Sequence, residues 1–145
     1  MGKTVRNSIY RSSVPLVIVK EVFKREESET KGFNYLVCLD GSKKSYKALE
    51  TGYKLCTHKN DKLYACFACT PDNRGTLDAI KIEVDQRNEE NSPKCCEIQE
   101  LNNPSRSHTD TILDHINLNE NIYFHFVLVF DYLKLVWKQW IESST

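Results

Sequence analysis

Few residues in this chain combine the type and the spacing that chemistry needs. The clearest group is Asp40-Gly41-Ser42, which follows the apolar run Tyr35 to Leu39 and precedes an amphipathic stretch. A carboxylate, a glycine that permits a tight turn and a hydroxyl at a helix start can together hold a ligand. The same Asp and Ser can equally well do no more than cap the helix. Cys66-Phe-Ala-Cys69 has the C-x-x-C spacing of redox and metal sites, but it falls in a run that reads as a strand. Residues three apart on a strand face opposite ways, so both thiols are expected to be core packing. Adjacent Cys95 and Cys96 likewise expose at most one thiol. No second C-x-x-C or close histidine pair completes a zinc site, and no metal is expected. His108 and His115, with Asp110 and Asp114 nearby, have the groups for acid–base or metal chemistry, but solvated helix faces are the expected role. His58 falls in a polar turn. With no G-x-S-x-G, P-loop or paired carboxylates, the chain is not expected to be an enzyme.

The elements that must position these residues follow from hydrophobic periodicity. Residues 2–13 read as a helix ended by Pro15. Leu16 to Val19 is a branched apolar run of the kind found in central parallel strands. Glu21 to Lys31 is charged, has no apolar stripe and reads as an exposed linker. Tyr35 to Leu39 has the character of a strand buried on both faces. Ser42 is an N-cap, and Tyr46, Leu49, Tyr53 and Cys56 fall on one stripe of the helix that follows. The next strand is Lys62 to Cys69, stopped by Thr70-Pro71-Asp72. A helix over about Thr76 to Asn88 places Leu77, Ile80 and Val84 on one face. Lys94 to Leu101 alternates, as an edge strand does. Ser107-His-Thr-Asp110 has a capping-box pattern ahead of Ile112, Leu113 and Ile116. Ile122 to Phe130 reads as a strand, and Asp131 to Glu142 as a helix with an aromatic, partly basic surface. Strands alternating with helices predict an α/β fold, three layers deep, with a mostly parallel sheet of about five strands and right-handed crossovers.

Bulk properties narrow the function. The 145 residues make one domain, and 20 basic against 20 acidic residues give a net charge of zero. Binding to nucleic acid through bulk charge is therefore not indicated. The longest apolar run is far short of the ~20 residues of a spanning helix, and the start lacks the apolar core of a secretory signal. A cytoplasmic protein with reduced thiols is expected.

The stretch Leu36-Val-Cys-Leu-Asp40-Gly-Ser42, with Ser45, Ala48-Leu49 and Leu55, resembles the opening strand, loop and helix of the universal stress protein family. Asp61-Lys-Leu-Tyr-Ala-Cys-Phe67 stands where that family has its second strand. Gly2-Lys-Thr-Val5, followed by Pro15-Leu-Val-Ile-Val19, resembles instead the end of such a domain. The resemblance implies a closing helix and strand in residues 1–20, a charged linker in 21–32, a family-like core in 33–121 and a divergent aromatic-rich end in 122–145. It also implies strand order 3-2-1-4-5; a linker of about twelve residues can reach ~40 Å, so the N-terminal strand can complete the sheet of its own chain, the alternative being that it pairs with another subunit. The family binds ATP or AMP, and by position Leu39, Asp40, Gly41, Ser42 and Ala68 would hold the adenosine part. After its fourth strand the family carries a glycine-rich loop that cradles phosphates, whereas this chain reads Asp131 to Trp140 without a glycine. The resemblance thus implies a non-enzymatic stress-response or signalling role with weakened nucleotide binding. The alternative is a dimerisation or protein-interaction module independent of nucleotide.

Overall fold

A computed structural model of the chain describes residues 16–19, 32–102, 105, 107–118 and 122–129. The helix expected over residues 2–13, the linker to Lys31 and the helix expected from Asp131 lie outside the described residues. Five strands and three α-helices are described: β1 (Leu16–Val19), β2 (Asn34–Cys38), α1 (Lys43–Leu55), β3 (Lys62–Cys69), α2 (Arg74–Glu90), β4 (Cys96–Asn102), α3 (His108–Leu118) and β5 (Phe126–Val129). They form one sheet in the order β1-β5-β2-β3-β4. β5, β2, β3 and β4 are parallel.

From β2 the chain steps to β3 and then β4, with α1 and α2 covering one face. Val37, Leu49, Leu63, Ile80 and Val84 meet in the core on that side. The connection to β5 runs back past β2, and its helix, α3, packs on the opposite face against Leu36, Cys66 and Val127. Reversing the direction of travel while keeping one crossover hand requires this change of face. The fold is therefore a three-layer α/β/α arrangement. Because β2 and β3 are covered on both sides, nearly every residue in them is buried, which is why they read as unbroken apolar runs.

Local rules set the helix starts. Ser42 Oγ accepts the Ser45 N–H at the head of α1. Ser107 Oγ accepts the Asp110 N–H at the head of α3. Helix α2 begins at Arg74, slightly earlier than expected, because a single 3-10 turn at Pro71–Asn73 leads into it. β4 has one neighbour among the described strands and alternates as an edge should, with Cys96 buried and Glu97 exposed.

β1 departs from expectation. It is not central: among the described strands it pairs on one side only, with β5, and antiparallel. It thus takes the fifth place of the order 3-2-1-4-5 within its own chain, but points the other way. Val19 and Tyr35 are both in register with Phe126, one on each side of it. The chain leaving β1 therefore has only two strand spacings, ~10 Å, to cross before β2 begins. A parallel β1 would oblige it to run back the length of a strand as well, and antiparallel ladders are also slightly the more stable. The last strand is shorter than its apolar run: Ile122 to Phe124 precede β5 as irregular chain. Asn34 and His125 nonetheless continue the pairing. The Asn34 N–H donates to His125 Nδ1 at 3.0 Å, and the His125 N–H donates to the Asn34 carbonyl at 2.9 Å.

Candidate functional site

The carboxyl ends of β2 and β3 open into a hollow of about 170 Å3, lined by Leu39, Asp40, Phe67, Ala68, Asn73, Thr76, His108 and Ile112. Leu39 belongs to the core under α1 and α2 and Ala68 to the core under α3, so the hollow straddles the end of the sheet. It lies where open α/β sheets bind ligands, beyond the carboxyl ends of the strands. Leu39, Asp40 and Ala68, three of the five residues singled out by sequence, line it. Gly41 and Ser42 do not.

Gly41 and Ser42 shape the loop instead. Gly41 has φ +83°, and a Cβ there would stand 2.5 Å from Thr76 Cγ2, so a side chain would push the loop away from the first turn of α2. Asp40 Oδ1 accepts the Ser42 N–H at 2.8 Å, and the Ser45 hydroxyl donates to the Ser42 carbonyl at 2.9 Å. The capping role of Asp40 and Ser42 is thus realised in the structure, and Asp40 is also among the residues lining the hollow. Asn73, also lining the hollow, holds the end of β3, accepting the Thr70 N–H at 2.7 Å and donating to the Ala68 carbonyl at 3.0 Å. Sequence patterns did not single out Asn73, Thr76, Phe67 or His108 as lining residues. The first three carry no motif, and His108 looked like one more solvated helix residue; it is exposed, but it borders the hollow with Asp40.

His115 is not with His108. Half-buried, it packs on Phe124 with ring centroids 5.4 Å apart, and its Nε2–H donates to Gln99 Oε1. Burial lowers its pKa from the ordinary histidine value. The unfolded chain therefore takes up a proton at a pH where the folded chain does not. This contribution to stability is complete above the unfolded pKa of about 6.5 and is lost as pH falls through the lower folded value. Urea unfolding of the native chain from pH 8 to pH 5 is expected to show this loss, and His115→Gln to reduce it. Parallel pH profiles for the two would overturn the assignment.

Five of the six cysteines are buried. Cys66 faces the α3 side and Cys69 the side of α1 and α2, so the C-x-x-C pair diverges. Cys66 instead meets Cys38, its register partner on β2, with sulfurs 3.8 Å apart and both side chains fully buried. The Cys38 contact first, and burial second, push the Cys66 thiol well up. Burial likewise raises Cys96, while its neighbour Cys95 is exposed. All six cysteines are thiols. Among the described residues no group of three His, Cys, Asp or Glu side chains could hold a metal ion. None of the described helices is long and apolar enough to cross a membrane.

Comparison with known proteins gives no match to any family model, curated protein or solved structure.

Proposed function

We propose that the chain is a universal-stress-protein-like, non-enzymatic cytoplasmic module whose stress-response or signalling role is linked to weak adenine-nucleotide binding. The observation that carries this reading is the hollow itself: Leu39, Asp40 and Ala68, where the resemblance puts the adenosine, border one space at the carboxyl ends of β2 and β3. Asp40 offers a carboxylate to ribose hydroxyls, and Leu39, Phe67 and Ile112 offer an apolar wall to a base. A volume of about 170 Å3 is small beside the ~300–1,000 Å3 of ordinary ligand sites, which favours a nucleoside-sized occupant. The Asp131–Trp140 stretch has no glycine with which to wrap a triphosphate, so phosphates should add little affinity.

Calorimetric titration with ATP, ADP and AMP tests this. Binding should be no tighter than micromolar, AMP should bind within about tenfold of ATP, and Asp40→Ala should abolish the heat. Asp40→Asn keeps an oxygen for the Ser42 N–H and separates loss of charge from loss of the turn. Silence with all three nucleotides would reject the reading. It would favour the alternative, a nucleotide-independent dimerisation or interaction module, which the small hollow and the engaged Asp40–Ser42 cap also suit. Light scattering on the eluting protein would then show a dimer.

A further inference from the structure

A cavity larger than this hollow lies at the other end of the sheet. A groove of about 600 Å3 runs between the end of α1, the turn into β3 and the loop before β4. Its size falls within the ~300–1,000 Å3 usual for small-molecule sites, unlike the hollow at the carboxyl ends. Its lining includes Tyr53, Cys56 and Leu63, which show only their edges and otherwise sit in the core under α1 and α2, with Tyr64 of the opposite layer and Pro93 beside them. Its rim is cationic, carrying Lys59, Lys62 and Lys94.

Among the described residues the acids nearby form no ion pair with that rim. Asp61 Oδ1 accepts the Phe33 N–H at 2.9 Å and Oδ2 the His58 N–H at 3.1 Å, so its carboxylate is directed at backbone. Glu97 also lines the groove, yet among the described residues no carboxylate lies within ion-pair distance of Lys59, Lys62 or Lys94. Lys94 Nζ donates to the Tyr53 carbonyl at 3.2 Å, which holds one ammonium against the groove wall with two N–H groups to spare. The wall is itself rigid: Asn88 accepts from the Tyr53 hydroxyl and the Cys96 N–H, tying α1, α2 and β4 together.

We propose that this groove is a binding site for an amphipathic organic anion, an aromatic or aliphatic body with one carboxylate or sulfonate. The apolar body lies against Pro93 and the edges of Tyr53, Cys56 and Leu63, and the acidic head meets Lys59, Lys62 and Lys94. The apolar contact supplies most of the affinity, and the lysines supply the selection for negative charge, partly screened by salt. Cys95, an exposed thiol on the groove lining, gives a reporter at the site.

Anilinonaphthalene sulfonate, an aromatic anion, is the probe, titrated into the full chain and followed by fluorescence. A single saturable site is expected, weakened about tenfold in the double variant Lys59→Gln/Lys62→Gln and blocked by prior alkylation of Cys95 with N-ethylmaleimide. The neutral analogue N-phenylnaphthylamine should bind native and double-variant protein alike, which shows that the variant keeps its groove. Asp40→Ala should leave the probe's affinity unchanged, so this result and the nucleotide titration fail or succeed separately. Undiminished binding of the anion to the double variant would overturn the proposal. Undiminished binding after Cys95 alkylation would do the same.

Discussion

Gly32→Ala is expected to destabilise the fold by on the order of 3–5 kcal/mol, close to the whole stability of a marginal domain. Gly32 has φ +71°, and a Cβ placed on it would lie 1.9 Å from the Asn60 carbonyl oxygen and 2.2 Å from its carbon. Positive φ alone costs alanine about 1 kcal/mol. The larger share is the clash, because its partner is backbone and cannot rotate away as a side chain could. That backbone is also pinned: Asp61 holds the Phe33 and His58 N–H groups, and the Lys62 N–H donates to the Phe33 carbonyl at 2.9 Å. The close approach starts the β2–β3 ladder, so the substitution loosens the entry to the sheet. Gly75→Ala is the natural control. Gly75 lies in α2 with nothing within 4 Å of where a methyl group would stand, and alanine there should be neutral or stabilise by up to ~1 kcal/mol. Urea midpoints for the two variants should move in opposite directions, or the second not at all. A Gly32→Ala midpoint equal to that of the native chain would show that the turn at Asn60 is softer than its hydrogen bonds imply.

Ile80→Ala should cost about 2–5 kcal/mol, whereas Ile82→Ala, two residues along the same helix, should stay within about 0.5 kcal/mol of native. Both remove the same atoms from the same kind of backbone. Ile80 is fully buried, packed with Leu77 and Val84 against the sheet, and its truncation leaves a cavity that close-packed neighbours cannot fill. Ile82 is 62% exposed and loses mostly contact with water. Equal effects would mean that α2 is not docked by the Leu77–Ile80–Val84 stripe. The hollow would then lose Thr76 from its lining, and the groove would lose the brace that Asn88 gives Tyr53 and Cys96. Thermal or urea unfolding of both variants in one buffer makes the comparison.

The elements were legible because their causes are local. Lys62 to Cys69 is a nearly continuous apolar run closed by Thr70-Pro71, and β3 spans those residues. The stripe Leu77, Ile80 and Val84 has a 3.6-residue period, and those three are the buried residues of α2. The divergence of Cys66 and Cys69 follows from the two-residue period of a strand. The three-layer architecture follows in turn, since strands buried on both faces need helices on both.

Among the described residues the sequence alone therefore determined β2, β3 and β4, the buried stripe of α2 and the turn chemistry at Asp40-Gly41-Ser42. All of these rest on interactions between residues a few positions apart. Tertiary structure decided everything that depends on register or direction. It turned β1 antiparallel, because Val19 and Tyr35 both come to lie beside Phe126 and the antiparallel course is the shorter one. It brought Cys38 to Cys66, which are 28 positions apart and meet only through the β2–β3 register. It also brought His108 to the same hollow as Asp40, and it gathered Lys59 and Lys94 from two loops and Lys62 from the start of β3 around a groove that no local pattern announces. Such sites are made of side chains whose spacing along the chain carries no period, so only the packed sheet could reveal them.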